Sequence, residues 1–576
     1  MTSTAPEIHR ASTHLDASDV RAVLRGRLEN APNATAITIV KPDGPDEVFT
    51  CAEVLERAAA YADHYRSLGL EPGSVVLVCL YLSLDLHAAF LGGILSGHVP
   101  SMIAPPSPRM ERQKYISSFV GMNKHVTPGC VVTDRSVIDA LDEHRPGALD
   151  GQNLVDAATV ITPERVVPFG PTDIDATPLD PEAPVLLQHS SGTTGLQKGI
   201  ALSHRVVLDQ VRSYGSTIKM SADDRIVSWL PLYHDMGLIA CFVTPSLVGT
   251  PIIQMSPFDW VGRPTLLLET IGSHQATLCW LPNFAYAFMA KTVRDSQMAG
   301  LDLNSIRAFI NCSEPVTAQS HDAFLARFGD VGARPDQLTA CYAMAENVYA
   351  VTQSPLGEAP RRDAISRRLF EAEHRAGEAD GGDVMELVSN GPAIGGVRVK
   401  ITDEDGAELP ERHAGSILIT GSSVFAGYFE RDDLTDAAFE NEWYNTGDLG
   451  YLADGELYVT GRKKDLIIIQ GRNFYPTDIE AAVGELDGVS DGRVAAFGET
   501  DEKSGTEALV VLAESTLEDD ALRTRLKLTI RKTVAQTFDC TVGQIHVLEP
   551  RWLVKSTAGK VARADNRTKY ERELRT

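Results

Sequence analysis

Short apolar runs rich in β-branched residues recur between about residues 184 and 345, and a stretch of helical length follows each one. The runs are PVLLQ, DRIVSWL, TPIIQM, ATLCWLP, RAFINC and LTACYA. Strands buried in a parallel sheet are apolar throughout, and crossover helices separate them by such distances. TAITIV and SVVLVCLYL, with a helical pattern between them, extend the same scheme toward the N-terminus. The pattern predicts βαβ units around parallel sheets.

The pattern changes after about residue 395, where strands follow one another without helices and Asp-Gly pairs mark tight turns. This predicts an antiparallel β subdomain. Beyond Asp465 a smaller α+β unit with a basic tail follows. We therefore predict an α/β protein with a large body over residues 1–462, made of parallel βαβ sheets and the antiparallel subdomain, and a small mobile α+β domain over 463–576.

Composition narrows the function. The 576-residue chain has 53 basic and 78 acidic residues, a formal charge of -25, which disfavours nucleic acid and anionic membranes as partners. Its eight cysteines are scattered and its N-terminus has no apolar signal segment, which predicts a cytoplasmic protein without a membrane span. The charged stretch 356–383 has the composition of a surface excursion.

The segment from His189 to Gly199 combines Ser, Gly and Thr with a single lysine, Lys198, between two strand patterns. Small residues let backbone N–H groups approach phosphate oxygens, hydroxyls add donors, and the lysine adds positive charge. It is not a Walker A loop, because Gln197 stands where the second Gly is required. From these residue types alone, a flexible hairpin loop is about as good an interpretation as a phosphate site.

The loop S-S-G-T-T-G-x-x-K-G resembles the signature of the acyl-adenylate-forming superfamily, which includes acyl-CoA synthetases, fatty acyl-AMP ligases, luciferases and peptide-synthetase adenylation domains. Further matches follow in the family's order: WLPLYHDMG at 229–237, NCSEPV at 311–316, CYAMAE at 341–346, YNTGDLG at 444–450, GRKKDLIIIQGRNFYPTDIE at 461–480 and STAGK at 556–560. The resemblance implies that ATP and Mg²⁺ convert a carboxylic acid into acyl-AMP, with release of pyrophosphate.

The resemblance also assigns roles. Lys560 would bridge the carboxylate and the α-phosphate, Glu346 and Thr194 would hold Mg²⁺, and Asp448 would bind the ribose hydroxyls. Tyr342 would stack near adenine, and Arg462 would add a ribose or phosphate contact. The predicted nucleotide site comprises Ser190, Ser191, Gly192, Thr193, Thr194, Gly195, Lys198, Ser313, Glu314, Tyr342, Ala343, Met344, Asp448 and Arg462.

On the acid side, His234 resembles the gate beside the acyl pocket and joins Lys560 and Glu346 in the predicted catalytic set. The predicted pocket residues are Trp229, His234, Asn283, Phe284 and Cys312, together with Ala343 and Met344. Lys464 falls where the family has its hinge, about which the C-terminal domain turns between the two half-reactions.

The branch most similar in style is that of the fatty acyl-AMP ligases, which carry an insertion where this chain has residues 356–383. That branch passes the acyl group to an acyl carrier protein rather than to CoA. A CoA ligase with the same body remains the main alternative, and luciferase-like oxidation or a non-catalytic nucleotide-binding protein are distant ones. Asn347, Val348, Tyr349, Cys312 and Phe474 depart from the usual pattern, which favours a specialised, possibly cyclic, acid.

Overall fold

The structure is a computed structural model. It describes residues 15–106, 115, 119, 126–142, 160–167, 174–189, 198–379, 383–469, 472–501, 506–538, 540–556 and 559–575. Residues 190–197 of the predicted phosphate loop lie outside this part of the chain, and they include six residues of the predicted nucleotide site: Ser190, Ser191, Gly192, Thr193, Thr194 and Gly195.

An eight-stranded sheet forms the centre of the body, and its six inner strands are parallel. The two edge strands pair antiparallel with their neighbours. In spatial order the strands are Ala350–Gln353, Leu338–Ala343, Ala308–Asn311, Leu278–Leu281, Ile226–Ser228, Ile252–Gln254, Thr35–Ile39 and Glu47–Thr50. The apolar runs predicted as buried parallel strands are confirmed with one exception: PVLLQ lies outside this sheet and pairs antiparallel with Gly199–Ser203, because the residues between these two strands are too few for a crossover helix.

A second sheet is parallel throughout and has the order Val99–Met102, Val75–Cys79, Cys130–Thr133 and Val160–Ile161. Pro184–His189 and Gly199–Ser203 form an antiparallel pair on either side of the predicted phosphate loop. The hairpin arrangement that the sequence pattern allowed is therefore present around this loop.

Helices cover the sheets of the body. Those of seven residues or more in the described ranges are Val20–Asn30, Cys51–Ser67, Leu84–Ser96, Arg135–Asp142, His204–Thr217, the π-helix Met236–Val243, Thr265–His274, Asn283–Thr292, Ala318–Phe328, Arg367–Glu373 and Asp432–Ala438. Local sequence sets their ends. Thr50 accepts a hydrogen bond from the backbone of Glu53, whose carboxylate accepts from the backbone of Thr50, a capping box that starts Cys51–Ser67.

The antiparallel subdomain is also confirmed, with strands Val397–Thr402, Gly415–Gly421, Phe439–Glu440, Trp443–Ala453 and Glu456–Arg462. Asp454 and Gly455 connect the last two strands, and both have positive φ angles, 51° and 75°. Two central residues with positive φ form the tight turn that suits a twisted hairpin. The hairpin places Asp448 opposite Arg462.

The C-terminal segment has a core of its own, built around a three-stranded sheet of Val494–Asp501, Thr506–Glu514 and Val542–Leu548. Its helices are Pro476–Gly484, Asp520–Phe538 and Arg563–Glu573, and Ile467–Ile469 pairs with Arg472–Phe474 at its start. In the part of the chain that the structure describes, no helix is both long and apolar enough to cross a membrane.

Residues 356–383 are more than the surface excursion that their charge predicts. Arg362–Ser366 pairs with Val384–Val388, and Arg367–Glu373 is a helix. Ile365, Phe370 and Ala376 are fully buried against Tyr451 and Tyr475. The prediction missed this because three apolar side chains spaced along a charged segment suffice to anchor it.

Candidate active site

The predicted site residues gather at one edge of the central sheet. Parallel strands end at a common edge, and the residues that follow them meet there. Trp229 follows Ile226–Ser228, Asn283 lies two residues after Leu278–Leu281, and Ser313 lies two residues after Ala308–Asn311. The sheet thus brings three separate sequence motifs to one place.

A half-buried carboxylate, Asp448, is the centre of the predicted nucleotide side. The Tyr342 hydroxyl donates to Oδ2 of Asp448 over 2.6 Å, and Nε of Arg462 lies 3.4 Å from Oδ1. Burial raises the pKa of Asp448, while the Arg462 guanidinium and the Tyr342 hydrogen bond act in the opposite direction. Three predicted nucleotide residues therefore form one connected group, with two carboxylate oxygens able to accept further hydrogen bonds.

Glu346 lies in a second polar group. The Tyr428 hydroxyl donates to Oε1 of Glu346 over 3.2 Å and lies 3.1 Å from the Tyr444 hydroxyl. Nζ of Lys198 is 4.5 Å from the centroid of the Tyr428 ring, a cation–π contact. Burial raises the pKa of Glu346, and the hydroxyls of Tyr444 and Tyr428 oppose this. Tyr428 was not predicted, because it belongs to none of the ordered motifs and resembles an ordinary core aromatic.

The turn that carries Glu346 has unusual backbone geometry. Val348 has φ of 60°, a conformation that β-branched residues rarely adopt. The Gln188 side chain donates to the Val348 carbonyl over 3.0 Å, and the Ser423 hydroxyl donates to Oδ1 of Asn347 over 3.0 Å. The departures at Asn347 and Val348 therefore hold Glu346 in a buried, fixed turn.

Lys560 reaches this edge from the C-terminal segment, where its ammonium group donates to the carbonyl of Ser313. Ser313 has φ of 71° and so turns that carbonyl into the cleft. Burial, with the nearby charge of Lys560, lowers the pKa of His234 to about 4. His234 is therefore a neutral imidazole at neutral pH, and Lys560 supplies the positive charge beside it.

Aromatic rings occupy the acid side. Phe284 makes edge-to-face contacts with Trp229 and with Trp260, both at 6.2 Å between ring centroids. Cys312 is fully buried beside this region. Trp260, on the short helix Pro257–Gly262, was not predicted, because it belongs to none of the ordered motifs.

Two predicted residues have supporting contacts. Oδ1 of Asn283 accepts from the Ser320 hydroxyl over 2.6 Å and from the Thr317 backbone over 3.1 Å. Oε2 of Glu314 accepts from the backbone of Phe284 over 2.9 Å. Their side chains therefore fix the start of the helix Asn283–Thr292.

The other predicted residues lie nearby in the chain. Ala343 and Met344 are half-buried between Tyr342 and the Glu346 turn. Lys464 is exposed in the short turn Lys463–Asp465, directly after the strand that ends at Arg462. Its role as a hinge stays a prediction.

The body of parallel sheets carries the half-buried carboxylates of Asp448 and Glu346, and the C-terminal segment brings Lys560 to Ser313, which is the arrangement expected for an adenylate-forming enzyme. The model of the AMP-binding enzyme family matches residues 24–429, and the chain belongs to this family. It is an adenylate-forming ligase.

The relatives and solved structures agree with this assignment. A long-chain-fatty-acid–AMP ligase, FadD26 of Mycobacterium marinum, is 29% identical and the match covers 95% of this chain and 96% of the relative. A putative fatty-acid–CoA ligase, fadD25 of Mycobacterium tuberculosis, is also 29% identical with the same coverage, 95% and 96%. A structure from a study of fatty acyl-adenylate ligases from E. coli and L. pneumophila superimposes with a TM-score of 0.88 at 27% identity, covering 97% of this chain and 99% of that one.

Proposed function

We propose that this ligase forms an acyl-AMP from ATP and a carboxylic acid, and then passes the acyl group to the phosphopantetheine thiol of an acyl carrier protein. The observation that carries the first step is the position of Lys560. Its ammonium group lies at the Ser313 carbonyl, just after the strand Ala308–Asn311, which pairs with the strand that carries Tyr342.

In the first step a carboxylate oxygen attacks the α-phosphorus of ATP, the bond from that phosphorus to the bridging oxygen breaks, and pyrophosphate leaves. Two anions come together, so a cation at the meeting point stabilises the transition state most. We assign this role to Lys560, whose contact with the Ser313 carbonyl supports it. His234 beside this lysine is neutral, so it does not compete with Lys560 for the carboxylate of the acid.

The donor set fits ATP with a divalent cation. Asp448 offers carboxylate oxygens to a vicinal diol, and Lys198 brings a positive charge toward the phosphate loop. Glu346 offers carboxylate oxygen, which suits Mg²⁺, a cation that binds one or two carboxylates together with phosphate oxygens and water. Mg²⁺ would neutralise charge on the phosphates. Thr194, the other predicted ligand, lies outside the described residues.

The contacts of residues 356–383 support a carrier protein as acceptor. The Phe370 ring lies 5.8 Å from that of Tyr475, and the Arg367 guanidinium lies 5.0 Å from the Phe538 ring and 3.8 Å from the Asp478 carboxylate. These contacts join the segment to the C-terminal unit. A rotation about Lys464 has to break them, and a docked carrier protein supplies binding energy that free CoA lacks.

CoA is the second candidate acceptor, because one relative, whose match covers 95% of this chain, is named as a putative fatty-acid–CoA ligase. We place either activity in the cytoplasm, where the eight free thiols of this chain remain reduced.

The test has two stages. Acid-dependent exchange of pyrophosphate into ATP identifies an accepted acid. Mass spectrometry then follows thioester formation on a holo carrier protein, with the apo carrier as control, and on CoA. We expect transfer to the holo carrier; faster acylation of CoA would overturn the proposed acceptor.

A further inference from the structure

We infer that the pocket for the acid is shallow and closed by a stacked tryptophan pair, so that the enzyme activates a compact acid with a short chain or a single ring. The inference rests on the proposed function, because it places the carboxylate of the acid at Lys560. The inference goes beyond the proposed function because it names the class of acid that the enzyme activates.

The position of Lys560 fixes where the pocket begins. Its ammonium group lies at the Ser313 carbonyl, and Ser313 follows the strand Ala308–Asn311, which pairs with the strand that carries Tyr342, the partner of Asp448. Gly559 adjoins Phe284 on the other side: a Cβ placed on this glycine would lie 3.9 Å from Cζ of Phe284. An acyl group attached at the carboxylate therefore extends toward Phe284.

Behind Phe284 the space is filled. The rings of Trp229 and Trp260 stack with 3.9 Å between centroids and 5° between planes. Trp229 is 5% exposed and Trp260 is 0% exposed. Phe288 closes the far side of the pair, 5.4 Å from Trp260 and edge-to-face. The four rings form an aromatic wall: Trp229, Trp260, Phe284 and Phe288.

Three elements hold this wall in place. Trp229 directly follows the strand Ile226–Ser228, Trp260 lies on the helix Pro257–Gly262, and both phenylalanines lie one turn apart on the helix Asn283–Thr292. Interiors are packed at crystal-like density, so rings fixed by three elements do not make room for a long chain without a change of packing. A planar ring or a few methylenes can rest against the part of Trp229 that stays exposed.

The stack is held by ring packing rather than by hydrogen bonds. Neither indole nitrogen donates to any atom in the described part of the chain. Replacing Trp260 by a small residue therefore breaks no hydrogen bond and leaves no partner unsatisfied, and its effect is to create space. This makes Trp260 the residue that sets the depth of the pocket.

A compact acid differs from the long-chain fatty acid in the name of the relative FadD26. At 29% identity the residues of an apolar pocket can change while the fold is kept.

The experiment measures acyl-AMP formation and pyrophosphate release with butyrate, benzoate and cyclohexanecarboxylate against dodecanoate and palmitate. We expect kcat/KM for the best compact acid to exceed that for dodecanoate by at least about 100-fold, because each excluded methylene group is costly in a closed pocket. Equal or better turnover of dodecanoate would overturn the inference. Acyl-AMP from none of the acids would instead count against the proposed function.

A variant of Trp260 tests the same inference through a gain of activity toward a long-chain acid. Trp260→Ala should raise kcat/KM for dodecanoate by about 10-fold or more, while the best compact acid is still activated. Trp443→Ala, which removes a half-buried tryptophan in the antiparallel subdomain, is the matched control and should leave the preference unchanged. A folded Trp260→Ala enzyme that still rejects dodecanoate would remove the stack from this role. Should Trp260→Ala not fold, Trp260→Phe gives the same comparison with a smaller gain expected.

Discussion

The two sides of the active-site edge are built from different interactions. On the nucleotide side, charged and hydroxyl groups are paired: Tyr342 and Arg462 with Asp448, and Tyr428 with Glu346. On the acid side, four aromatic rings pack with no hydrogen bond from either indole to the described residues. The reaction that the whole family catalyses needs polar groups in fixed positions. The choice of acid depends only on the shape of the pocket, which many combinations of apolar side chains can supply.

The largest effect is expected at the point where the two sides meet. Lys560→Ala should lower acid-dependent pyrophosphate exchange by about 10³-fold, because it removes the cation that stabilises the transition state. ATP binding, followed by calorimetry, should survive. Lys527→Ala, which changes an exposed lysine on the helix Asp520–Phe538, is the control. Unchanged exchange in Lys560→Ala would remove this lysine from the proposed mechanism.

Smaller effects should follow on the nucleotide side. Asp448→Asn should raise the KM for ATP by about 50-fold, because hydrogen bonds to a charged acceptor are lost. Tyr342→Phe removes one hydrogen bond to that carboxylate and should raise the KM for ATP by about 5-fold. Initial rates at saturating acid and varied ATP concentration give this KM for both variants. Equal effects of the two substitutions would contradict a role in which Asp448 binds the ribose and Tyr342 only positions it.

A further effect concerns the second half-reaction. Arg367→Ala removes the contacts with Phe538 and Asp478, so the C-terminal unit should turn more easily and CoA acylation should rise by roughly 5-fold. Pyrophosphate exchange should stay the same. Arg368→Ala, at the exposed neighbouring position, is the control. A fall in exchange in Arg367→Ala would indicate instead that these contacts serve adenylation.

The smallest effect is a pH dependence of stability from the acid side. The pKa of His234 is about 4 in the folded protein because of burial and Lys560, and about 6.5 in an unfolded chain. A lowered pKa stabilises the fold above pH 6.5, and this stabilisation is lost as the pH falls toward 4. Denaturant unfolding should show that the free energy of unfolding falls less between pH 7.5 and pH 5 in His234→Gln than in the wild type. His374→Asn, at an exposed histidine, should behave like the wild type.

The sequence predicted the fold well and brought together residues that lie in contact at the polar side, for physical reasons. Buried parallel strands and an Asp-Gly turn have local signatures, and Lys198, Glu346 and Asp448 lie within motifs whose spacing follows the nucleotide. Tyr428 and Trp260 could not be predicted, because their importance comes from contacts with residues far away in the chain. The burial of Phe370 was missed for the same reason.

The pairing of Asp448 with Arg462 limits how this protein can change its length. The strand that begins after the turn at Asp454 and Gly455 ends at Arg462, and the proposed hinge Lys464 comes two residues later. Because side chains alternate along a strand, one residue gained or lost here would turn Arg462 away and shift the whole C-terminal unit. We therefore expect insertions to accumulate in segments such as 356–383 and to be absent from this hairpin, whose length is tied to both the nucleotide and the lysine.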